Sequence, residues 1–202
     1  MKGDRTKNIS KTYKLAIFAS GAGSNAANIL QYFKGRPDVK VVLIVCNKPE
    51  AGVLKIAAEN RVATLLIEKE RFSKGDAYLP ELKKAGIDVV VLAGFLWKVP
   101  PALVAGFPNM ILNIHPALLP KYGGKGMYGA KVHEAVIAAG EAESGITIHF
   151  VNEHYDEGAI LFQARCKVDS EDTAETLAAK IHLLEYAHFP KQIDQLLSSI
   201  NH

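Results

Sequence analysis

Between Leu15 and Ile114 the chain repeats one unit, a short run that is apolar at nearly every position followed by a stretch with helical spacing. The apolar runs are Leu15–Ala19, Val39–Cys46, Ala63–Ile67, Asp88–Ala93 and Met110–Ile114. A strand exposed on one face alternates, whereas a strand covered on both faces is apolar throughout. The intervening helical stretches run to about Phe33, over Ala51–Asn60, over Asp76–Ala85 and over Pro100–Ala105. This order predicts an α/β fold, a Rossmann-like open and mostly parallel sheet with helices on both faces.

After the fifth strand the rhythm changes. Lys121–Met127 is rich in glycine and lysine and reads as a loop, and Ala130–Ala139 reads as a helix. Gly145–Val151 and Ala159–Val168 are strands joined by the polar turn Asn152–Gly158, too short for a crossover, so a late antiparallel addition is expected. Asp172–Leu197 is a long helix, opened by Ser170 with Thr173 three residues on. No repeat or linker divides the chain. The organisation expected is a basic tail over residues 1–13 and one domain over 14–202, and 49% apolar residues suffice for its core.

Charge and cysteine content narrow the class. The net charge is +3, and the basic residues concentrate in Lys2, Arg5, Lys7, Lys11 and Lys14, spaced by polar residues. No apolar run follows them to make a signal peptide, and no basic stripe continues them toward nucleic acid, so they read as a solvated tail. The two cysteines, Cys46 and Cys166, lack ligand-like spacing and read as free thiols in a reducing compartment. No run approaches the ~20 apolar residues of a membrane span. A cytoplasmic protein is expected, with small-molecule partners, no nucleic acid and no membrane; a homodimer is compatible with everything in the sequence.

Gly21-Ala22-Gly23-Ser24-Asn25 lies between the first strand and the first helix. Glycines there allow a sharp turn and close approach of a ligand, and the helix N-terminus offers unpaired N–H groups to a phosphate. The plainer alternative is a tight turn with Ser24 as N-cap. Gly21, Gly23 and Ala26 also fit the dinucleotide fingerprint, but the second strand ends Cys46-Asn47-Lys48, without the acid that would hold a ribose.

The fifth strand closes in Asn113-Ile114-His115-Pro116. Residues two apart on a strand share a face, so Asn113 and His115 point together at the carboxyl end of the sheet. An amide and an imidazole side by side suit a developing oxyanion. A carboxylate is available in the turn Asn152–Gly158, where Asp156, Glu153 and Glu157 compete. A carboxylate near His115 would raise its pKa and could accept a proton from an amine. His133, His149, His182 and His188 read as ordinary strand and helix residues, and no metal is expected.

With these residues assembled, a family pattern emerges. Ser20–Asn25, Val91-Leu92-Ala93-Gly94-Phe95, Leu112–Tyr122 and Gly145–Val151 resemble the phosphoribosylglycinamide formyltransferase family of folate-dependent formyltransferases, over roughly Lys14 to Leu197. The resemblance implies transfer of a formyl group from 10-formyltetrahydrofolate to the amino group of glycinamide ribonucleotide, in purine synthesis. It implies Asn113, His115 and Asp156 as catalytic residues. It implies Gly21, Gly23, Ser24 and Asn25 at the nucleotide phosphate and Glu185 at the ribose. Phe95, Leu96, Trp97, Lys98 and Val99 would hold the pterin. The chain departs from the family in Glu157-Gly158 after Asp156, in the longer Gly-rich loop 121–128, and in Trp97, where a basic residue is common. Formyltetrahydrofolate hydrolases and methionyl-tRNA formyltransferases share the pattern but add further domains, for which the length leaves no room. A dehydrogenase would need the ribose acid, and a plain binding protein would not need Asn113 with His115.

Overall fold

The computed structural model describes residues 11–200. The elements in order are β1 (Tyr13–Ala19), α1 (Ser24–Tyr32), β2 (Val39–Cys46), α2 (Gly52–Glu59), β3 (Ala63–Leu66), α3 (Lys69–Lys74), α4 (Leu79–Lys84), β4 (Val89–Leu92), α5 (Pro101–Gly106), β5 (Ile111–His115), α6 (Ala130–Ala138), β6 (Glu143–Phe150), β7 (Ile160–Lys167) and α7 (Ala174–Ile200). The strands join one sheet in the order β3-β2-β1-β4-β5-β6-β7. β1 to β5 pair in parallel, and β6 and β7 are antiparallel additions. The expected class is therefore observed.

The period of two along β1 explains the layering. Leu15, Ile17 and Ala19 enter one core with Ile29 of α1, Val53 of α2 and Ile181 and Phe189 of α7. Ala16 and Phe18 enter the opposite core with Phe72 of α3, Leu82 of α4 and Leu103 of α5. Both faces are covered, which is why the strand sequences are apolar throughout.

Several expected boundaries move. The strand begins at Tyr13, which is buried, and Lys11 is held to Asp88 at 2.7 Å, so the solvated tail does not extend to residue 13. The rest of that segment, Met1–Ser10, lies outside the described residues. The helix expected over Asp76–Ala85 is interrupted: Ala77 and Tyr78 adopt left-handed φ values of 52° and 58°, and α4 starts only after them, with Pro80 in its first turn. The preceding helix α3 carries too short an apolar pattern to be seen in sequence. At α7 the cap is Thr173 rather than Ser170. The Thr173 amide donates to Thr176 Oγ1 at 2.9 Å and the Thr176 amide to Thr173 Oγ1 at 3.3 Å, a reciprocal capping pair.

Phe18 links the core to the carboxyl end of the sheet. It is 1% exposed and meets Phe95 edge-on at 5.3 Å and Phe72 at 6.4 Å between ring centres. Phe18→Ala is expected to cost about 3–5 kcal/mol of stability, the usual range for a buried Phe truncation. Urea unfolding checks this, and a loss below about 1 kcal/mol would show that the aromatic cluster collapses freely around the gap.

Candidate active site

In the strand order the chain passes from one side of β1 to the other between β3 and β4, so β1 and β4 flank the switch point of the sheet, where crevices open in such folds. A cleft of about 510 Å³ lies there, lined by the segments that follow β1, β4 and β5 and by parts of the loop 124–129, β6, the turn 152–156, α6 and α7.

The loop after β1 forms one end. Gly23 precedes α1 at φ 84°, and a Cβ there would lie 2.8 Å from Val53 Cα, so glycine is required twice over. Gly21 differs: a Cβ on it would meet nothing within 4 Å, so the backbone leaves room for a ligand at this point. Gly23 occupies the N-cap position and no side chain caps the helix, so the plainer alternative, with Ser24 as N-cap, is not what is observed. The first-turn N–H groups are thus not satisfied by a capping side chain. Asn25 Nδ2 donates to Glu185 Oε2 at 2.8 Å, joining α1 to α7, and His182 Nδ1 lies 3.0 Å from the same oxygen. Glu185 is 5% exposed.

The centre is built from β5, β6 and the turn after β6. Antiparallel pairing sets Asn113 opposite His149. Asn113 Nδ2 lies 3.0 Å from His149 Nε2, and His149 Nδ1 lies 2.9 Å from the Phe150 carbonyl oxygen. A carbonyl only accepts, so His149 donates through Nδ1 and Nε2 is free to accept from the amide. His115 Nε2 likewise donates to the Tyr122 carbonyl at 2.8 Å. Asp156, at φ 55°, reaches both rings: Oδ2 is 3.7 Å from His115 Nδ1 and Oδ1 is 3.6 Å from His149 Nε2. These are ion-pair separations rather than hydrogen bonds. The Gly124 amide donates to Asp156 Oδ2 at 2.9 Å.

The electrostatics correct one expectation. Burial pushes the His115 pKa down, and the pull of Asp156 in the other direction only partly offsets it, so the net shift is downward. The imidazole is therefore mostly neutral near pH 7, not held charged by the carboxylate. For Asp156, burial works to raise the pKa, but the His149 and His115 rings and the Gly124 amide outweigh it and hold the carboxyl below its usual value. Both groups destabilise the fold in acid. The unfolded chain binds a proton at His115 more readily than the folded one, so stability is lost as pH falls below about 6.5. Asp156 adds a further loss as pH falls through its own lowered value.

The segment after β4 forms the remaining wall. The Ser20 amide donates to the Gly94 carbonyl at 3.0 Å, and Ser20 Oγ accepts from the Leu96 amide at 3.0 Å, so the loops after β1 and β4 are tied together. Trp97 packs on Phe72 and Phe95 at 5.9 and 6.2 Å between ring centres, and Lys98 Nζ lies 5.6 Å from the centre of the Tyr155 ring.

The site residues that the family resemblance implies all line this cleft: Gly21, Gly23, Ser24, Asn25, Phe95, Leu96, Trp97, Lys98, Val99, Asn113, His115, Asp156 and Glu185. Of the three competing acids, Asp156 faces it, whereas Glu153 and Glu157 are exposed and outside it. The histidines given an ordinary reading divide. His133, His149 and His182 line the cleft, while His188 packs on Phe162 at 4.8 Å between ring centres. For His149 a signal existed: in an antiparallel addition to β5, some residue of β6 must oppose Asn113.

The sequence pattern of the formyl transferase family matches residues 13–193. The chain is 47% identical over 174 residues to the chloroplastic phosphoribosylglycinamide formyltransferase of Arabidopsis thaliana, covering 83% of this chain and 60% of that protein's length. It is 33% identical over 193 residues to the phosphoribosylglycinamide formyltransferase of Bacillus subtilis, covering 93% of this chain and 96% of that one. The crystal structure of the phosphoribosylglycinamide formyltransferase from Bacillus halodurans superposes with a TM-score of 0.83 at 36% identity, covering 92% of this chain and 95% of that one.

The neutral His115 is open to direct measurement. NMR titration of its ring is expected to give a midpoint below the ordinary ~6.5 of histidine. Asp156→Asn, which removes the carboxylate with the larger pull on His115 and keeps the shape, should move that midpoint lower still. A midpoint above the ordinary value, or no response to the substitution, would contradict the balance described.

Proposed function

The chain belongs to the formyl transferase family, among relatives named phosphoribosylglycinamide formyltransferase, and from that premise we propose that it transfers the formyl group of 10-formyltetrahydrofolate to the amino group of 5′-phosphoribosylglycinamide, a step of de novo purine synthesis. The observation that carries the reading is that one cleft is lined by an uncapped helix N-terminus, by an amide–imidazole–carboxylate group and by an apolar wall. Phosphate, reacting centre and pterin each find a matching surface there.

In this reading the nucleotide phosphate sits on the N–H groups at the start of α1, beside Gly21, Gly23, Ser24 and Asn25. Glu185 accepts from the ribose hydroxyls. The backbone and side chains of Phe95–Val99 hold the pterin as co-substrate. The neutral amine of the nucleotide attacks the formyl carbon, and the carbonyl oxygen becomes an oxyanion. Asn113 donates its amide hydrogen to that oxygen and His115 donates Nε2–H, exchanging it from the Tyr122 carbonyl. Each such donor is worth about 3 to 4 kcal/mol to the transition state. The attacking nitrogen then carries a surplus proton. Asp156 takes it up and shares it with His115 Nδ1, and an imidazolium between a carboxylate and an oxyanion is stabilised on both sides. The proton passes to the folate nitrogen as the bond from that nitrogen to the formyl carbon breaks. The products are the formylated amide and tetrahydrofolate. No acyl-enzyme forms, because the nucleophile belongs to the substrate.

The unpaired thiols of Cys46 and Cys166 suit a reducing compartment, and the reading places the reaction in the cytoplasm. Among the described residues no helix is long and apolar enough to cross a membrane.

Two sets of variants test this function. Asn113→Ala and His115→Ala should each lower kcat by about two to three orders of magnitude while nucleotide affinity changes far less. Near-normal turnover in either folded variant would remove that residue from the chemistry. Gly21→Val places a side chain in open space without crowding the backbone, so the fold should survive and calorimetry should show weakened nucleotide binding with folate binding intact. Unchanged nucleotide affinity would mean that the loop is only a turn.

A further inference from the structure

His115 uses its two ring nitrogens differently. Nε2 donates to the Tyr122 carbonyl at 2.8 Å, and Nδ1 faces Asp156 Oδ2 at 3.7 Å. A neutral imidazole carries one ring hydrogen, so the carbonyl on Nε2 leaves the lone pair on Nδ1. The proposed transfer needs this tautomer twice. Nε2 then has a hydrogen to give the oxyanion, and Nδ1 can share the proton that the amine releases. The other tautomer would donate Nδ1–H to Asp156 and leave Nε2 with nothing to give.

The tautomer therefore depends on what keeps the Tyr122 carbonyl in place. Tyr122 has a left-handed φ of 57°, which a tyrosine holds only where its surroundings impose it. The loop after β5 is fastened as far as Leu119, whose amide donates to Thr147 Oγ1 at 2.9 Å and whose carbonyl accepts from Gln163 Nε2 at 3.0 Å. Beyond Leu119, packing gives less support. A second cavity of about 260 Å³, which shares no lining residue with the cleft, opens beside Tyr122 and Glu141. Glu141, in the connection from α6 to β6, accepts on Oε1 from the Tyr122 hydroxyl at 2.9 Å and from Lys121 Nζ at 2.8 Å. The tyrosine is thus held at both ends, by its carbonyl on His115 and by its hydroxyl on Glu141.

We propose that Glu141 is a positioning residue for formyl transfer: through the Tyr122 hydroxyl it keeps the Tyr122 carbonyl on His115 Nε2 and so fixes the reactive tautomer. The proposal rests on the formyl-transfer reading and extends it to a residue outside the lining of the cleft. Lys121 is the lesser partner, because its side chain is exposed and an exposed ion pair contributes little. Lys121 and the Tyr122 hydroxyl hold the Glu141 carboxyl below its ordinary range, so it stays ionised around neutral pH.

Three variants test this. Glu141→Gln keeps an oxygen for the Tyr122 hydroxyl, whereas Glu141→Ala and Tyr122→Phe each remove one end of the bond. Nitrogen NMR of ring-labelled His115 reads the tautomer, and steady-state kinetics with 10-formyltetrahydrofolate and glycinamide ribonucleotide read its consequence. Wild type and Glu141→Gln should show the hydrogen on Nε2. Both truncations should shift population toward Nδ1–H and lower kcat about tenfold, the usual scale for one lost hydrogen bond, with the nucleotide KM nearly unchanged. The double variant should be no worse than either single one. The titration midpoint of His115 should also fall in both truncations, because the carbonyl favours the charged ring; Asp156, His149 and Glu185, the other titratable groups acting on it, are untouched. An unchanged tautomer in both truncations would overturn the inference whatever happens to kcat, since a general loosening slows turnover without moving the ring hydrogen, and the formyl-transfer reading would stand. Absence of nucleotide formylation by the wild type would overturn that reading and the positioning role with it.

Discussion

A carboxylate removed from water must be compensated where it lies, and the centre of this cleft is organised around that requirement for Asp156. Its two oxygens face two imidazoles and one backbone amide, from β5, β6 and the loop after β5. Each partner is held in turn. His149 is fixed between the Phe150 carbonyl and Asn113, and His115 is fixed by the Tyr122 carbonyl. The turn that delivers Asp156 is only as well placed as these contacts make it, because its backbone adopts a left-handed φ of 55°. The arrangement keeps the acid ionised, while burial keeps the imidazole beside it uncharged. A proton released nearby therefore has a ready destination.

The fold places this centre in the middle of the cleft by simple means. Parallel strands put every loop that follows them at one edge of the sheet, and the reversal of order between β1 and β4 opens the crevice there. Ser20 ties the two flanking loops together through one backbone and one side-chain hydrogen bond. The antiparallel strands β6 and β7 are not decoration on this plan. Without β6, Asn113 would lose His149 as its neighbour on that side, and the turn bearing Asp156 would have no anchor.

Much of this was legible in the sequence for one reason: continuous apolar runs mark strands covered on both sides, and their spacing fixes a parallel sheet. Glycines 21 and 23 and the Asn-Ile-His-Pro stretch then mark two segments that line the cleft. What was not legible depended on contacts distant in sequence. His149 acquires its place only through the register of β6 on β5, and its flanking residues are those of any buried strand. The break before α4 depends on left-handed conformations at Ala77 and Tyr78, residue types that seldom adopt them. The charge state of His115 could not be read from the presence of a nearby acid. The sign depends on how deeply the ring is buried, and here burial outweighs the carboxylate.

The central claim is that formyl moves directly from folate to a substrate amine held in the same cleft. The most direct measurement is the rate at which 10-formyltetrahydrofolate loses its formyl group, with and without glycinamide ribonucleotide. The account predicts negligible loss without the nucleotide and, with it, one formylated nucleotide for each folate consumed. Equal loss in both cases, with formate rather than formylated nucleotide as product, would make water the acceptor and contradict the account.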